Sequence, residues 1–544
     1  MTGAPVQLEG SRYDAVVVGA GIAGLVAATD LCHRGHRVLV LEHNHQAGGL
    51  MGGMRRRGFY FDVGCQSFEN MGIVFPLLEQ YGLSDLARFR RARYRLVMPG
   101  LDAVVESLPA IREAFQRAFP ESAEGLGRVF DLHGRTSQFI ERLFRADRVP
   151  YVRDERGASL GRWLAQALVG GSLPWPPAAL QHLSDLRTWM LDDFTEWYER
   201  ELPPSGVRDL LSRCGYSRMN VFVASAFWHL WAHDYWYPEG GLQAWFDRWV
   251  ARLAERGVRF LFRRRVSALE RSGSRVGAVV TTGRERFQAA QVVYTGDYRQ
   301  AVHRLLGPDQ FEPEAVRRLD GARHSDALVS AYLGLEVSAD ELRERLGTSH
   351  VFYFPSFQVR TAMDPSDEGA HRRTFLEVTA HSALDPSLAP AGRSGVVLQA
   401  FTRHDWLGGW RTGLSGDTAR EEVVPPRPRE YRRLKRAVLA DLVGVFEGLF
   451  PDVGRRVVFA DLGTPQSAVR FTRNAFGGTC GFELNWRNFP FRNPLAQVKS
   501  PLENLHMAGH FTVWPGTVPT AALSGKIAAL RAHQALGGRR RRAA

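Results

Sequence analysis

Three glycines near the start of the chain, Gly19, Gly21 and Gly24, have the spacing G-x-G-x-x-G. A short apolar run, Ala15–Val18, precedes them, and a run of helix-forming residues, Ile22–Leu31, follows them. The first glycine of such a turn permits a tight bend, the second lets a pyrophosphate approach the backbone, and the third lets the helix pack against the strand. The free N–H groups and the dipole of the helix N-terminus attract the pyrophosphate. The predicted cofactor contacts in this turn are Gly19, Gly21, Ile22, Ala23 and Gly24.

An acidic residue completes this pattern. A second apolar run, Val38–Leu41, ends at Glu42, which is 18 residues after Gly24. A carboxylate in this place can accept hydrogen bonds from ribose hydroxyls. A glycine turn with only a structural role would require neither the second apolar run, Val38–Leu41, nor the acidic residue Glu42. The segment therefore predicts a strand–helix–strand unit that binds a dinucleotide, with Glu42 at the ribose.

A second glycine pair, Gly48 and Gly49, follows the acid, and residues 58–64 then read as a strand that ends in a turn. This stretch resembles the two-domain flavoproteins of the FAD-dependent amine oxidase and phytoene desaturase superfamily. The resemblance implies FAD as the cofactor, with Gly48, Gly49 and Leu50 closing over it. The family often has arginine directly after the pair, whereas this chain has Leu50 and places arginines later, at 55–57.

The resemblance extends to two later segments. In phytoene desaturases a Pro-x-Gly-Gly helix precedes a strand whose backbone contacts the adenine, and that strand corresponds here to the region of Val266. A strand, a loop and a helix of small residues, Asn504–Leu530, resemble the C-terminal FAD signature and imply contacts from Gly509, His510 and Val518. In the loop only Gly509 and Thr512 match the family's Gly-x-Gly-Thr-His-Pro-Gly-x-Gly. The resemblance therefore implies a conserved flavin pocket with an altered substrate side.

The order of segments predicts an α/β fold with a Rossmann-type FAD-binding domain, in the manner of GR2-like two-domain flavoproteins. Residues 1–85, 236–300 and 456–544 are assigned to that domain. Residues 86–235 are predicted to form a helical, aromatic-rich substrate or lid region, and residues 301–455 the substrate domain, which is α+β and split in sequence.

An aromatic stretch at 221–238 shows helical spacing, with Phe227, Leu230, Trp231 and Asp234 on one face. Such a stripe is compatible with ordinary core packing. It is also compatible with the wall of an apolar substrate tunnel or with a face that contacts lipid.

Three residues are candidates for catalysis. His510 lies beside the predicted flavin loop and could act as an acid or a base, although a packing or hydrogen-bonding role is equally compatible with its position. Glu483 and Trp514 are weaker candidates. No metal site is predicted, because no third ligand accompanies the His229 and His233 pair.

Composition limits the classes of function that the chain can have. At 544 residues it should form two or three domains. Its net charge of +13 is carried almost wholly by arginine, and no nucleic-acid motif accompanies it. No secretory signal, no apolar run of membrane-spanning length and no paired cysteines are apparent, so we expect a cytoplasmic protein. The basic end, Arg539–Arg542, is expected to be disordered, and it is a candidate for peripheral membrane contact.

The combined expectation is an FAD-dependent oxidoreductase that acts on a long apolar polyene or isoprenoid chain in natural-product biosynthesis. Desaturation, isomerisation and reductive cyclisation by hydride transfer all remain open. A ring-forming reductive cyclase of polyene tetramate macrolactam pathways, with NAD(P)H as diffusible reductant, is a more specific hypothesis. A flavin amine oxidase and a non-catalytic flavin-binding protein are hypotheses of different classes.

Overall fold

The computed structural model describes residues 12–144, 149, 152, 177–358, 366–414, 426–488, 500–513 and 516–542. The strands are β1 Tyr13–Val18, β2 Val38–Leu41, β3 Gly53–Arg56, β4 Phe59–Asp62, β5 Phe68–Glu69, β6 Phe89–Arg91, β7 Tyr94–Met98, β8 Leu101–Val104, β9 Tyr235–Pro238, β10 Arg259–Leu261, β11 Val266–Ser272, β12 Arg275–Thr281, β13 Arg286–Phe287, β14 Ala289–Tyr294, β15 Ala327–Leu335, β16 His350–Tyr353, β17 Leu376–Thr379, β18 Ser394–Thr402, β19 Val457–Gly463 and β20 Leu505–Met507.

The helices are α1 Ile22–His33, α2 Val74–Gln80, α3 Leu108–Ala118, α4 Ala123–Leu143, α5 Pro177–Leu191, α6 Phe194–Glu201, α7 Gly206–Leu211, α8 Val221–His233, α9 Leu242–Glu255, α10 Pro313–Gly321, α11 Ala339–Leu346, α12 Arg429–Leu449, α13 Pro465–Thr472 and α14 Val518–Arg542. Short helical turns lie at Tyr298–Gln300, Trp406–Arg411 and Pro451–Gly454.

A parallel sheet of five strands, in the order β10-β2-β1-β14-β20, forms the first layer. Strand β2 is buried along its whole length, as expected for a parallel sheet that is covered on both faces. The predicted strand–helix–strand unit is present as β1, α1 and β2. The carboxyl ends of parallel strands meet at one edge of a sheet, and that edge is where such folds bind their ligands.

The last helix packs directly on the first. A side chain at Gly525 would overlap the carbonyl oxygen of Ala23, so only glycine permits this close approach. Next to it, Lys526 Nζ lies 2.6 Å from Asp30 Oδ1, and both side chains are 0 % exposed. Burial alone would raise the pKa of Asp30, but the hydrogen bond from Arg34 and the charge of Lys526 hold it below its ordinary value. The chain's C-terminal helix is thus tied to its N-terminal unit.

A second, mixed sheet has the strand order β19-β15-β18-β17-β16-β7-β8. Alternate residues of β18 divide between its two faces: Leu398 joins a core with Leu442 and Phe446 of α12, whereas Gln399 and Phe401 line a cavity. This alternation follows from the two-residue repeat of a strand. One face of the sheet is therefore structural, and the other is available to a ligand.

This second sheet draws on three parts of the chain. Strands β7 and β8 come from the segment predicted to be a helical lid, and β19 comes from the segment assigned to the FAD-binding domain. Helices α3 to α8 form an aromatic cluster beside the sheet, in which Trp228 packs against Phe115 and Phe130. The exact domain limits at 85, 236, 301 and 456 stay a prediction.

The expectation of a disordered basic end is wrong for the backbone, because α14 continues to Arg542. Alanine and arginine, which are frequent in this stretch, have high helix propensity. Among the described residues, no helix is long and apolar enough to cross a membrane.

We predict that Lys526→Met lowers the free energy of unfolding by about 3 kcal/mol, because it removes one of the two cations, Lys526 and Arg34, that stabilise the buried Asp30 carboxylate. The matched control is Lys435→Met. Lys435 pairs with Asp461 at the same kind of distance, 2.8 Å, but the two side chains are 27 % and 45 % exposed. The control should cost less than about 1 kcal/mol. Urea unfolding followed by tryptophan fluorescence measures both, and equal losses would contradict the prediction.

Candidate active site

A continuous cavity of about 390 Å³ connects the carboxyl edge of the parallel sheet with the open face of the mixed sheet. One end, the nucleotide end, is lined by the glycine turn, Glu42 and Gly509. The other end, the aromatic chamber, is lined by tyrosine, phenylalanine and tryptophan side chains. The cavity therefore joins the predicted cofactor residues to an apolar space.

The glycine turn fits a pyrophosphate. A side chain at Gly24 would overlap the carbonyl oxygen of Gly19, and one at Gly19 would overlap the Thr295 hydroxyl. At Gly21, by contrast, a Cβ would meet nothing within 4 Å. Gly19 and Gly24 are thus required by packing, whereas Gly21 faces open space at the N-terminus of α1, where the amide groups attract a phosphate.

Glu42 is held as an ionised acceptor. Its Oε2 accepts from the Ala20 N–H at 2.8 Å, and its Oε1 accepts from the Asn44 N–H at 2.8 Å. Burial would raise its pKa, but these bonds and the adjacent His43 lower it below the ordinary value. A carboxylate has about four acceptor positions, so Glu42 retains capacity for ribose hydroxyls.

The other predicted cofactor residues gather at the same end. They come from the glycine pair, from the start of β11 and from the segment between β20 and α14. The residues that line the cavity are Ile22, Ala23, Gly48, Gly49, Leu50, Val266, Gly509, His510 and Val518. Gly24 lies behind the turn, in contact with Gly19 rather than with the cavity.

The three catalytic candidates differ in position. His510 lines the cavity, and its Nε2 is buried without a hydrogen-bond partner among the described residues. Burial lowers the pKa of His510 to about 4, so the ring is neutral near pH 7 and can accept a proton. Glu483 does not line the cavity; it lies 3.8 Å from Arg218 and accepts a bond from Asn485. Trp514 lies outside the described residues.

The aromatic chamber is built mainly by the mixed sheet and by α8. Its aromatic lining residues are Tyr94, Tyr216, Phe227, Trp231, Tyr235, Phe352, Phe375 and Phe401. Phe227 and Trp231 stack with their ring centroids 5.9 Å apart. Leu230, on the same predicted stripe, is buried in the core instead. The stripe of α8 thus serves both packing and the cavity wall.

Two acidic residues in the chamber, Glu69 and Glu377, were not anticipated from the sequence. Burial raises the pKa of each to about 7. A hydrogen bond with Tyr235 partly offsets this effect at Glu69, whereas burial is the sole cause at Glu377. The signal available in the sequence was alternation: Leu376 and Val378 face the core, so the residue between them faces the opposite side.

The geometry can be compared with known proteins. The family model for flavin containing amine oxidoreductases matches residues 22–533. The chain belongs to this family. It is an FAD-dependent oxidoreductase with a two-domain FAD-binding fold, and the glycine turn and Glu42 are residues suited to hold the cofactor.

Relatives of the chain match it over most of their length. It is 27 % identical to a phytoene dehydrogenase of Streptomyces griseus, over 97 % of this chain and 96 % of the relative. It is 23 % identical to an all-trans-retinol 13,14-reductase of Danio rerio, over 91 % of this chain and 82 % of the relative.

Among solved structures, putrescine oxidase bound to putrescine is similar at a TM-score of 0.55 and 15 % identity, covering 96 % of this chain and 99 % of that one. An oxidoreductase from Methanosarcina mazei is also similar at a TM-score of 0.55 and 15 % identity, covering 94 % and 98 %. At this identity the likeness concerns the fold alone.

We predict that Gly21→Val gives a folded but colourless protein, because the new side chain projects into the open space where the pyrophosphate belongs. The matched change Gly24→Val should instead prevent folding, because its side chain overlaps the Gly19 backbone. Circular dichroism and the flavin absorbance spectrum separate the two outcomes. A yellow, FAD-loaded Gly21→Val protein would show that the pyrophosphate lies elsewhere.

We predict that Glu377→Gln stabilises the protein increasingly as pH rises. The folded-state pKa of about 7 lies above the ordinary value of 4.5, so the wild type loses stability between these values. From about pH 5.5 to about pH 8.5 the variant should gain about 2 kcal/mol over the wild type. Unfolding midpoints at both pH values measure this difference. The exposed Glu344, changed to Gln, serves as control, and a flat profile for Glu377→Gln would contradict the prediction.

Proposed function

We propose that this FAD-dependent oxidoreductase exchanges hydride with a long apolar polyene or isoprenoid chain in natural-product biosynthesis. The observation that carries the proposal is the continuity of the cavity. The aromatic chamber opens directly onto the nucleotide end, so an apolar chain lying in the chamber reaches the cofactor without crossing water. The names of the relatives, phytoene dehydrogenase and all-trans-retinol 13,14-reductase, support the same class of substrate.

Bound FAD supplies hydride acceptance or donation, which no protein side chain provides. The chain's own residues position the substrate and exclude water. Aromatic faces such as those of Phe227, Trp231 and Phe352 offer a large apolar contact with an extended hydrocarbon. His510 lines the same cavity, is neutral at physiological pH and has a buried Nε2 without a described partner, so it is our candidate to accept a proton that the substrate releases.

The direction of electron flow distinguishes three reactions. Desaturation uses oxidised flavin, and the substrate is then the electron donor. Isomerisation and reductive ring closure use reduced flavin, which NAD(P)H can supply as a diffusible reductant. The altered loop after Gly509 favours a specialised substrate, such as the polyene precursor of a tetramate macrolactam. Because such chains dissolve poorly in water, we extend the proposal to peripheral contact with a lipid surface.

A flavin amine oxidase is the second candidate. It is favoured by one observation: acidic residues among aromatic side chains can hold an ammonium group. Against it, flavin amine oxidases commonly have a lysine near the flavin, whereas Lys526, in the C-terminal helix, is buried against Asp30 and Tyr81 and does not line the cavity.

The electron donor is found by anaerobic reduction of the purified, FAD-loaded protein, followed by flavin absorbance. Rapid bleaching by NADPH or NADH is expected if the enzyme reduces or isomerises a polyene. Bleaching only by an added isoprenoid or polyene is expected for a desaturase. Bleaching by neither, together with rapid bleaching by putrescine or another primary amine, would overturn the proposal in favour of an amine oxidase.

We predict that His510→Ala retains FAD but lowers turnover about 100-fold, the contribution of a typical general base. His510→Gln serves as the matched variant, because it fills similar space and retains hydrogen bonding without accepting a proton. Flavin content and single-turnover flavin reduction measure the two effects. Turnover near the wild-type value in both variants would assign His510 to packing alone.

A further inference from the structure

The Glu377 carboxyl group, in the aromatic chamber, has no hydrogen-bond partner among the described residues. Its side chain is 21 % exposed, towards the cavity. His350 Nε2 lies 3.9 Å from Glu377 Oε1, beyond hydrogen-bond distance. Glu377 thus presents a carboxyl group with no described partner to the cavity, where a bound ligand can form a hydrogen bond with it.

The side chain of His350 is a second observation that supports a ligand near Glu377. His350 is 0 % exposed, and its Nε2 is buried without a hydrogen-bond partner in the described part of the chain. Its Nδ1 is held at 3.0 Å from the Ser349 hydroxyl, so the ring is fixed with Nε2 towards Glu377. Burial holds the pKa of His350 well below its ordinary value, so the ring brings no positive charge to the acid.

The register of the mixed sheet explains why the carboxyl group faces the ligand. Glu377 on β17 pairs with Phe352 on β16 and with Gln399 on β18, and all three side chains line the cavity. Gln399 is already engaged, because its Nε2 donates to Gly64 O and to the Ser330 hydroxyl. Among these three side chains, Glu377 is thus the one whose polar group remains available for a hydrogen bond with a ligand.

Glu69, the other acidic residue of the chamber, already has a hydrogen-bond partner. Glu69 is 7 % exposed and has a hydrogen bond with Tyr235. The charges of both Glu69 and Glu377 act on Tyr94, whose pKa burial and these acids raise well above its ordinary value. With a pKa of about 7, raised by burial, Glu377 is protonated in a substantial fraction of molecules near neutral pH and is then a hydrogen-bond donor.

We propose that Glu377 anchors an oxygen-bearing polar group, a hydroxyl or a carbonyl, on an otherwise apolar substrate. The inference rests on the proposed function and specifies its substrate class: an oxygenated polyene or isoprenoid is bound in preference to a pure hydrocarbon. The carboxyl O–H donates to the substrate oxygen, while Phe352 and Phe375 contact the adjacent carbon chain.

The test compares three probes that share one carbon chain: farnesol, the hydrocarbon farnesene and farnesylamine. Each is titrated into the FAD-loaded protein, and binding is followed by quenching of tryptophan fluorescence, to which Trp231 in the chamber wall contributes. The wild type is expected to bind farnesol roughly tenfold more tightly than farnesene, as one buried hydrogen bond provides. Glu377→Leu should abolish this difference by weakening farnesol alone. Glu377→Gln, which retains a donor, should preserve most of it, and Glu344→Gln on the exposed face of helix α11 should preserve all of it.

Each result that differs from the expected one contradicts a different part of the proposal. Equal affinity for farnesol and farnesene in the wild type, or a preference that survives in Glu377→Leu, overturns the anchor and leaves the proposed function intact. Tightest binding of farnesylamine, lost in Glu377→Gln, replaces the anchor by a carboxylate that holds an ammonium. Binding of none of the three probes overturns the isoprenoid substrate class, and the anchor with it. Preferential binding of farnesol without hydride exchange with any isoprenoid would retain the anchor and reject the proposed reaction.

Discussion

The close contact between the first and last helices is the constraint on which the site depends. Gly525 allows the backbones of α1 and α14 to approach, and the buried pair of Lys526 and Asp30 fixes their register. A buried ion pair adds little net stability when its desolvation is counted, but breaking one partner is costly. The pair therefore acts as a specific joint between residues that are 496 positions apart in sequence. It places Val518, at the start of α14, beside the glycine turn at the start of α1.

The cavity has two parts, the nucleotide end and the aromatic chamber, and the chemistry of their linings is opposite. At the nucleotide end the protein supplies backbone amides, a helix dipole and an ionised Glu42. In the chamber it supplies aromatic faces and two acids whose pKa burial raises to about 7. The contrast has one physical cause: backbone hydrogen bonds and His43 stabilise the Glu42 charge, whereas nothing in the described chain compensates a charge on Glu377. One fold thus prepares a polar cofactor site and an apolar substrate site side by side.

The mixed sheet makes this arrangement possible because its two faces are independent. Its structural face is filled by α12 through residues such as Leu398, Val378 and Leu442. Its cavity face carries Glu377, Gln399 and Phe401. The sheet therefore separates a packing core from the surface that faces a ligand.

The sequence by itself determined the nucleotide end, because a glycine turn followed by a strand and an acid is a local pattern. The spacing of Gly19, Gly21 and Gly24 indicates a tight turn before a helix, and the structure has that turn between β1 and α1, with Gly19 at φ 104°. The predicted runs Ala15–Val18, Ile22–Leu31 and Val38–Leu41 lie within β1, α1 and β2 for the same reason, since the apolar runs and helix-forming residues that predict them are also local.

Only the tertiary structure decided the substrate end. Glu69, Tyr94, Trp231 and Glu377 come from separate strands and a helix, and no sequence motif links them. The sequence likewise did not predict that β7, β8 and β19 belong to one sheet. Strand pairing between distant segments depends on side-chain complementarity and not on local pattern. The protonation of Glu377 is a consequence of burial, and burial is a property of the folded chain.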